Sequence, residues 1–183
     1  VRVRLRPTPD LAEIYTTPHQ HEEWADHRVR VDVTTTLGAH IAQQGGSLAD
    51  LSCGDAAIAK RLQASHNLTV HLGDYAPGYP ICGPIEETIN QIPDVGLFVC
   101  SETVEHLDDP DTVLKQIRGK AANLLLSTPD GETDDGNPEH VWGWDSDAVR
   151  DMLVAAGWEP LIHTVLDLRP AGFMYAYQIW ACR

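Results

Sequence analysis

Basic residues are scarce in this chain. Its 13 lysines and arginines stand against 27 aspartates and glutamates, which leaves a net charge of −14. Such a surface repels phosphate-rich partners at long range, so nucleic acid is disfavoured without a local basic patch. The one basic cluster, VRVRLRP, alternates Val1, Val3 and Leu5 with arginine and fits an edge strand or a flexible arm. Apolar runs are short as well. None nears the roughly 20 residues of a membrane helix, and no signal-peptide pattern is present, so no membrane is expected. Cysteine is limited to Cys53, Cys82, Cys100 and Cys182, far apart and without a CxxC pair. That disfavours a zinc knuckle or redox motif and predicts reduced, half-buried thiols in a cytoplasmic protein. There is no internal repeat, no low-complexity linker and no GxGxxG, since Gly54 stands alone in its turn. The acidic runs DDPD and ETDDG read as solvated loops.

What is present suits one domain over 1–183, with 43% apolar and 22% charged residues. Residues 1–46 predict an arm and a lid helix, and 47–183 the core. Thr17 can cap a helix with Pro18 in its first turn. A broadly helical pattern then runs to about Gln44, with Trp24, Val31, Leu37 and Ile41 as its stripe. SLADLSC reads as a short buried strand, GDAAIAKRLQAS as a helix, and NLTVHLGD as a strand ending at Asp74. YAPGYPICG is too short for a crossover helix, since parallel strands need a connection of roughly a dozen residues. The second crossover helix is therefore reduced to a turn, and any strand at YPIC is short. PIEETINQI predicts a small helix and DVGLFVC a central parallel strand. Asp109 caps DPDTVLKQIRGK, NLLLS is the next strand, and a long polar loop, TPDGETDDGNPEHVWGW, precedes the capped helix DSDAVRDMLVAAG. EPLIHTVLDLR and GFMYAYQIWACR follow with no helix between them, which predicts an antiparallel hairpin. The expected fold is α/β: a Rossmann-like open, mostly parallel sheet with helices on both faces and a C-terminal antiparallel hairpin.

Ligands of such sheets sit at the C-terminal strand ends, at the switch point. Three ends carry suitable groups. After DLSCGD a helix opens with free backbone N–H groups facing the crevice. Asp74 offers a carboxylate that can accept from two ribose hydroxyls. The third end is CSETVEH. In this order they resemble the class I S-adenosylmethionine-dependent methyltransferases, over 48–183. The family pattern D-x-G-C-G-x-G matches at Asp50, Cys53 and Gly54 and departs at Ser52 and Ala56, where the family usually has glycine. IPDVGLFVCSETVEHLDDP is the most specific match, and Pro84 stands where the family often has an adenine-binding acid. The resemblance implies S-adenosylmethionine as cofactor, held by Asp50, Ser52, Cys53, Gly54, Asp74, Tyr75, Ile85, Ser101 and Glu102. Arg28, on a lid with Tyr15, His19 and Trp24, would meet the cofactor carboxylate.

Glu102, Glu105 and His106 are spaced i, i+3, i+4 and share a face if the stretch is helical. The spacing resembles the ExxEH of plant small-RNA 2′-O-methyltransferases and of ubiquinone-pathway O-methyltransferases. In the RNA group the two glutamates and the histidine bind a divalent metal with a second histidine from a later loop, where His140 stands here. The resemblance implies either a metal on Glu102, Glu105, His106 and His140, or His106 or His140 as a general base without one. Trp142 and Trp144, beside His140, are expected to wall an acceptor pocket. The expected function is methylation of a small-molecule acceptor, at oxygen. A metal-assisted nucleic acid 2′-O-methyltransferase and a non-catalytic S-adenosylmethionine-binding protein are the alternatives.

Overall fold

A computed structural model of the chain describes residues 1–131 and 135–183. Of the ETDDG run, residues 132–134 therefore lie outside the described residues. The elements in chain order are β1 (Arg2–Arg4), α1 (Leu11–Ile14), α2 (Ala25–Ile41), β2 (Ser47–Asp50), α3 (Ala57–His66), β3 (Thr69–Asp74), β4 (Ile81–Cys82), α4 (Ile85–Thr88), β5 (Val95–Ser101), α5 (Pro110–Arg118), β6 (Ala121–Pro129), β7 (Trp142–Trp144), α6 (Ser146–Ala155), β8 (Pro160–Asp167) and β9 (Ala176–Cys182). Single 3₁₀ turns cover His21–Glu23 and Val104–His106.

Seven strands form one sheet in the order β4-β3-β2-β5-β6-β9-β8. The pairs from β4 to β6 are parallel, and β9 runs antiparallel to both β6 and β8. The mostly parallel sheet and its antiparallel finish are as the sequence predicts. So is the missing second crossover helix, because β3 and β4 are joined by turn alone.

Alternation along β5 divides the core. Phe98 and Cys100 face α5 and α6 with Leu124, Leu126 and Trp180; Leu97 and Val99 face α2 and α3 with Leu48, Leu125 and Ile179. Helix α2 lies close on the sheet at Gly38, where a Cβ would come within 2.7 Å of Leu125 Cδ2. Strand β1 pairs antiparallel with β7 in a separate two-stranded sheet. The arm is thus an edge strand, as its alternation predicts, and it brings the N-terminal segment across the strand ends.

The lid helix differs from expectation. Thr17 caps nothing; the helix begins at Ala25 after an extended Trp24. Tertiary contact holds the earlier residues out of the helix: the His19 carbonyl rests against Gly54, and His21 Nδ1 accepts from Arg30 at 3.0 Å.

Candidate active site

Strand order reverses at β2, with β3 on one side and β5 on the other. A cavity of about 660 Å³ opens there, roofed by the N-terminal segment. Gly54 takes φ 54° in the turn after β2, and a Cβ would come within 2.8 Å of the His19 carbonyl oxygen. Both facts require glycine. Ala56 adopts φ 59°, so the turn keeps its left-handed residue without a glycine, at roughly 1 kcal/mol. Ser52 Oγ lies 2.6 Å from Thr103 Oγ1, a bond that ties the end of β2 to the end of β5. Asp74 accepts from the Gly54 amide at 2.7 Å on Oδ2 and from the Ala76 amide at 2.9 Å on Oδ1. Each oxygen retains acceptor capacity toward the cavity.

The third strand end is not helical. Glu102 sits at φ 51°, a strained position for a side-chain-bearing residue, and the chain then makes only the 3₁₀ turn Val104–His106. The shared helical face expected for Glu102, Glu105 and His106 does not form. The kink turns Glu102 to Ser127, whose hydroxyl donates at 2.9 Å. Glu105, His106 and His140 do come together, each offering a ligand atom within 4.8 Å of the others. The candidate metal set is therefore three residues, without Glu102.

His106 Nδ1 lies 3.0 Å from the Glu139 carbonyl oxygen, which fixes the proton on Nδ1 and leaves Nε2 with its lone pair. Burial, reinforced by His140, lowers its pKa to about 3, so the ring is neutral. Glu105 is 1% exposed, and burial raises its pKa. Its Oε2 accepts from Thr128 Oγ1 at 3.0 Å, but Oε1 has no hydrogen-bond partner and lies 3.8 Å from His106 Nε2. His140 is backed by Asp135 through Nδ1. Burial opposes charging His140, but the Asp135 bond and the Glu105 charge raise its pKa. Asn137 Nδ2 lies 3.1 Å from His140 Nε2.

Of the expected lid, Tyr15, His19 and Trp24 line the cavity. Trp24 is 47% exposed, not core. Arg28 does not line the cavity: it is exposed and donates to the Glu22 carbonyl at 2.9 Å. Two residues on, past half a helical turn, Arg30 points inward and is fully buried. Trp142 and Trp144 do not wall the pocket either. They donate to the Leu107 carbonyl and to Thr128 Oγ1, and so pin β7 beneath it.

No family model matches the sequence, and no curated protein matches it. Solved structures do. The Burkholderia thailandensis 1,6-didemethyltoxoflavin-N1-methyltransferase, bound to S-adenosylhomocysteine, superposes with TM-score 0.71 at 14% identity over 95% of this chain and 85% of its own. A Leishmania major S-adenosylmethionine-dependent methyltransferase gives TM-score 0.65 at 14% identity over 87% of this chain and 74% of its own. The 4+2 cyclase SpnF gives 0.69 at 12% identity over 93% and 86%. This chain has the class I S-adenosylmethionine-dependent methyltransferase fold.

Within the methyltransferase fold, Ser52, Gly54, Asp74, Tyr75, Ile85 and Glu102 line the cavity. Asp50, Cys53 and Ser101 do not; they are buried beneath its floor, where the turn after β2 carries Leu51, Ser52 and Gly54 to the crevice and the end of β5 carries Glu102 and Thr103. Glu86 and Glu87, in the first turn of α4 just past Pro84, also line it. Sequence reasoning passed over Arg30, Asp135, Glu139 and Tyr175. Asp135, read with ETDDG as solvated, is buried and accepts from Tyr175 Oη at 3.0 Å as well as pairing with His140.

Asp50 is 3% exposed, and burial raises its pKa from 3.8 to about 8. The folded state thus holds a proton that the unfolded chain releases. Stability falls by ~1.4 kcal/mol per pH unit as pH rises from the unfolded to the folded value, then levels off. Asp50→Asn abolishes that slope. The melting temperature of the variant is expected to gain steadily on that of the parent between about pH 5 and pH 8, inside the window set by those two values; parallel melting curves across this range would refute the assignment.

Proposed function

We propose that this protein transfers a methyl group from S-adenosylmethionine to an oxygen of a small-molecule acceptor. One observation carries the reading: a single cavity runs from Asp74 to His106 and His140. Its volume of about 660 Å³ falls in the range of small-molecule sites, roughly 300–1,000 Å³. The donor set fits the cofactor. Asp74 has lone pairs left for ribose hydroxyls, Ile85 offers an apolar face to adenine, and Glu86 stands near the position of the family's missing acid. When bound, the cofactor supplies a methyl already activated on sulfur. His140 takes the acceptor's hydroxyl proton on Nε2 in exchange for the Asn137 amide hydrogen bond there, and Asp135 steadies the resulting imidazolium. His106, whose ring meets that of His140 edge-on at 4.9 Å between centroids, packs beside the hydroxyl and confines it. Tyr15, His19 and Trp24 cover the site against water.

Calorimetry with S-adenosylmethionine and S-adenosylhomocysteine tests the cofactor; binding of neither overturns the reading. With labelled cofactor and a panel of small hydroxylated acceptors, His140→Gln is expected to lower turnover by roughly 10²–10⁴-fold while cofactor affinity stays within about threefold. Cofactor binding without transfer to any acceptor would favour the non-catalytic alternative.

A second reading rests on the unpartnered Glu105 Oε1 beside His106 Nε2. Glu105, His106 and His140 fit a divalent cation, which would lower the pKa of an acceptor oxygen. Activity abolished by a chelator and restored by Mg²⁺ or Zn²⁺ selects it; activity indifferent to chelator selects His140 as base.

A further inference from the structure

We propose that the acceptor carries a positive charge, a protonated amine, recognised by Glu139. The inference rests on the methyltransferase reading and narrows it. The cavity is lined by the carboxylates of Asp10, Asp74, Glu86, Glu87, Glu102 and Glu139, and by no lysine or arginine among the described residues. The guanidiniums nearby are turned away. Arg6 donates to the carbonyls of Asp135 and Asn137, and Arg30 lies buried on Ser101 and Ser127. A carboxylate or phosphate on the acceptor would meet like charge with no counterion.

Most of these carboxylates already have work or lie elsewhere. Asp74 holds two backbone amides. Asp10 caps α1 by accepting from the Ala12 amide at 3.0 Å. Glu102 accepts from Ser127. Glu86 and Glu87 belong to α4, beyond the end of β4. Glu139 remains. Its half-buried carboxylate accepts from Tyr15 Oη at 2.8 Å and forms no ion pair with the described residues. One donor leaves most of a carboxylate's acceptor capacity open.

The position of Glu139 ties this charge to the reaction end. Its own carbonyl oxygen lies 3.0 Å from His106 Nδ1, and Tyr15 Oη lies 3.3 Å from the same nitrogen. Tyr15, Tyr175 and Tyr177 supply aromatic wall to the same cavity, the setting that favours an organic cation over a hydrated one. A separate observation also points to a missing donor there: Glu105 Oε1, fully buried, is without a partner between two histidines that line the cavity. An acceptor with a hydroxyl directed at the Glu105, His106 and His140 group and an ammonium directed at Glu139 places one donor at each of these two points.

The test uses three probes that share a 4-hydroxyphenyl group: tyramine, which is cationic, tyrosol, which is neutral, and 4-hydroxyphenylacetate, which is anionic. Each is titrated into the full chain saturated with S-adenosylhomocysteine. The expected ranking is tyramine over tyrosol over 4-hydroxyphenylacetate, about tenfold between the first two, as for one charge-assisted contact in a partly wet site. Glu139→Gln, which keeps an acceptor for Tyr15, is expected to erase the tyramine advantage and leave S-adenosylhomocysteine affinity unchanged. The inference is overturned if tyramine does not bind, if the acid binds as well as the amine, or if Glu139→Gln preserves the ranking. Failure of S-adenosylhomocysteine to bind at all would strike the cofactor reading first, so the two failures are distinguishable.

Discussion

Replacing Asp74 with alanine is expected to weaken S-adenosylmethionine binding by about a hundredfold or more, the equivalent of ~2.7 kcal/mol. The size follows from the double duty of this carboxylate. Its Oδ2 holds the Gly54 amide at 2.7 Å and its Oδ1 the Ala76 amide at 2.9 Å, so it anchors the glycine turn after β2 and the segment after β3 at once. Hydrogen bonds to an ionised acceptor are each worth about 1.5–3 kcal/mol. Their loss loosens the cradle before any direct contact with the ribose is counted. Asp74→Asn separates the two contributions. The amide keeps one acceptor oxygen and can hold one backbone N–H, so its affinity is expected to fall between parent and alanine. Calorimetry reads the affinities and a melting curve reads the turn. Cofactor affinity of Asp74→Ala within about threefold of the parent would remove Asp74 from the site.

The largest loss of stability is expected at Arg30. Arg30→Ala should cost ~3–5 kcal/mol, the usual penalty for removing one member of a buried charged network. For a chain of this length that corresponds to a melting temperature lower by about 10 °C. The guanidinium is 0% exposed and joins four elements. It donates to Ser101 Oγ at 2.5 Å and Ser127 Oγ at 3.3 Å, and it lies 3.0 Å from both His21 Nδ1 and His27 Nδ1. Strands β5 and β6, helix α2 and the segment roofing the cavity therefore meet on one side chain. The histidines must accept, so they are neutral; burial, with Arg30 adding to it, lowers the His21 pKa to about 2. Arg30→Lys cannot rescue, because three donors on a point charge do not reproduce a planar fork toward acceptors on opposite sides. Limited proteolysis adds a second readout: the segment before α2 should be cleaved earlier in Arg30→Ala. A melting temperature within about 2 °C of the parent would show that the network contributes little.

The two predictions differ in how visible their residues were. Asp74 closes an apolar run one strand after a glycine turn, and both signals are local. Arg30 is one arginine in HRVRV, and nothing nearby in sequence marks it rather than Arg28 as the inward one. Helical phase decides it, and the phase depends on where α2 starts. That start lies at Ala25, because the residues from Thr17 onward are held out of the α-helix by contacts with Gly54 and Arg30, not by their own propensities. Glu102 shows the same limit. A left-handed residue at the end of β5 is invisible in ETVEH, so the i, i+3, i+4 spacing suggested a helical face that a 3₁₀ turn replaces. Asp135 and Glu139 lay in a polar loop where burial could not be told from solvation.

The mostly parallel sheet, the reduced crossover, the antiparallel finish and the place of the cavity at the strand ends were determined by the sequence itself. Apolar runs, turn residues and connection lengths are local quantities, and a parallel sheet leaves few ways to join them. Tertiary structure alone decided which charges face the cavity. The burial of Arg30 rather than Arg28, the grouping of Glu105 and His106 with His140 but not Glu102, the Asp135–His140 pair and a lining without lysine or arginine among the described residues all join residues distant in sequence. Whether a charge is buried, paired or open depends on what the rest of the chain packs against it.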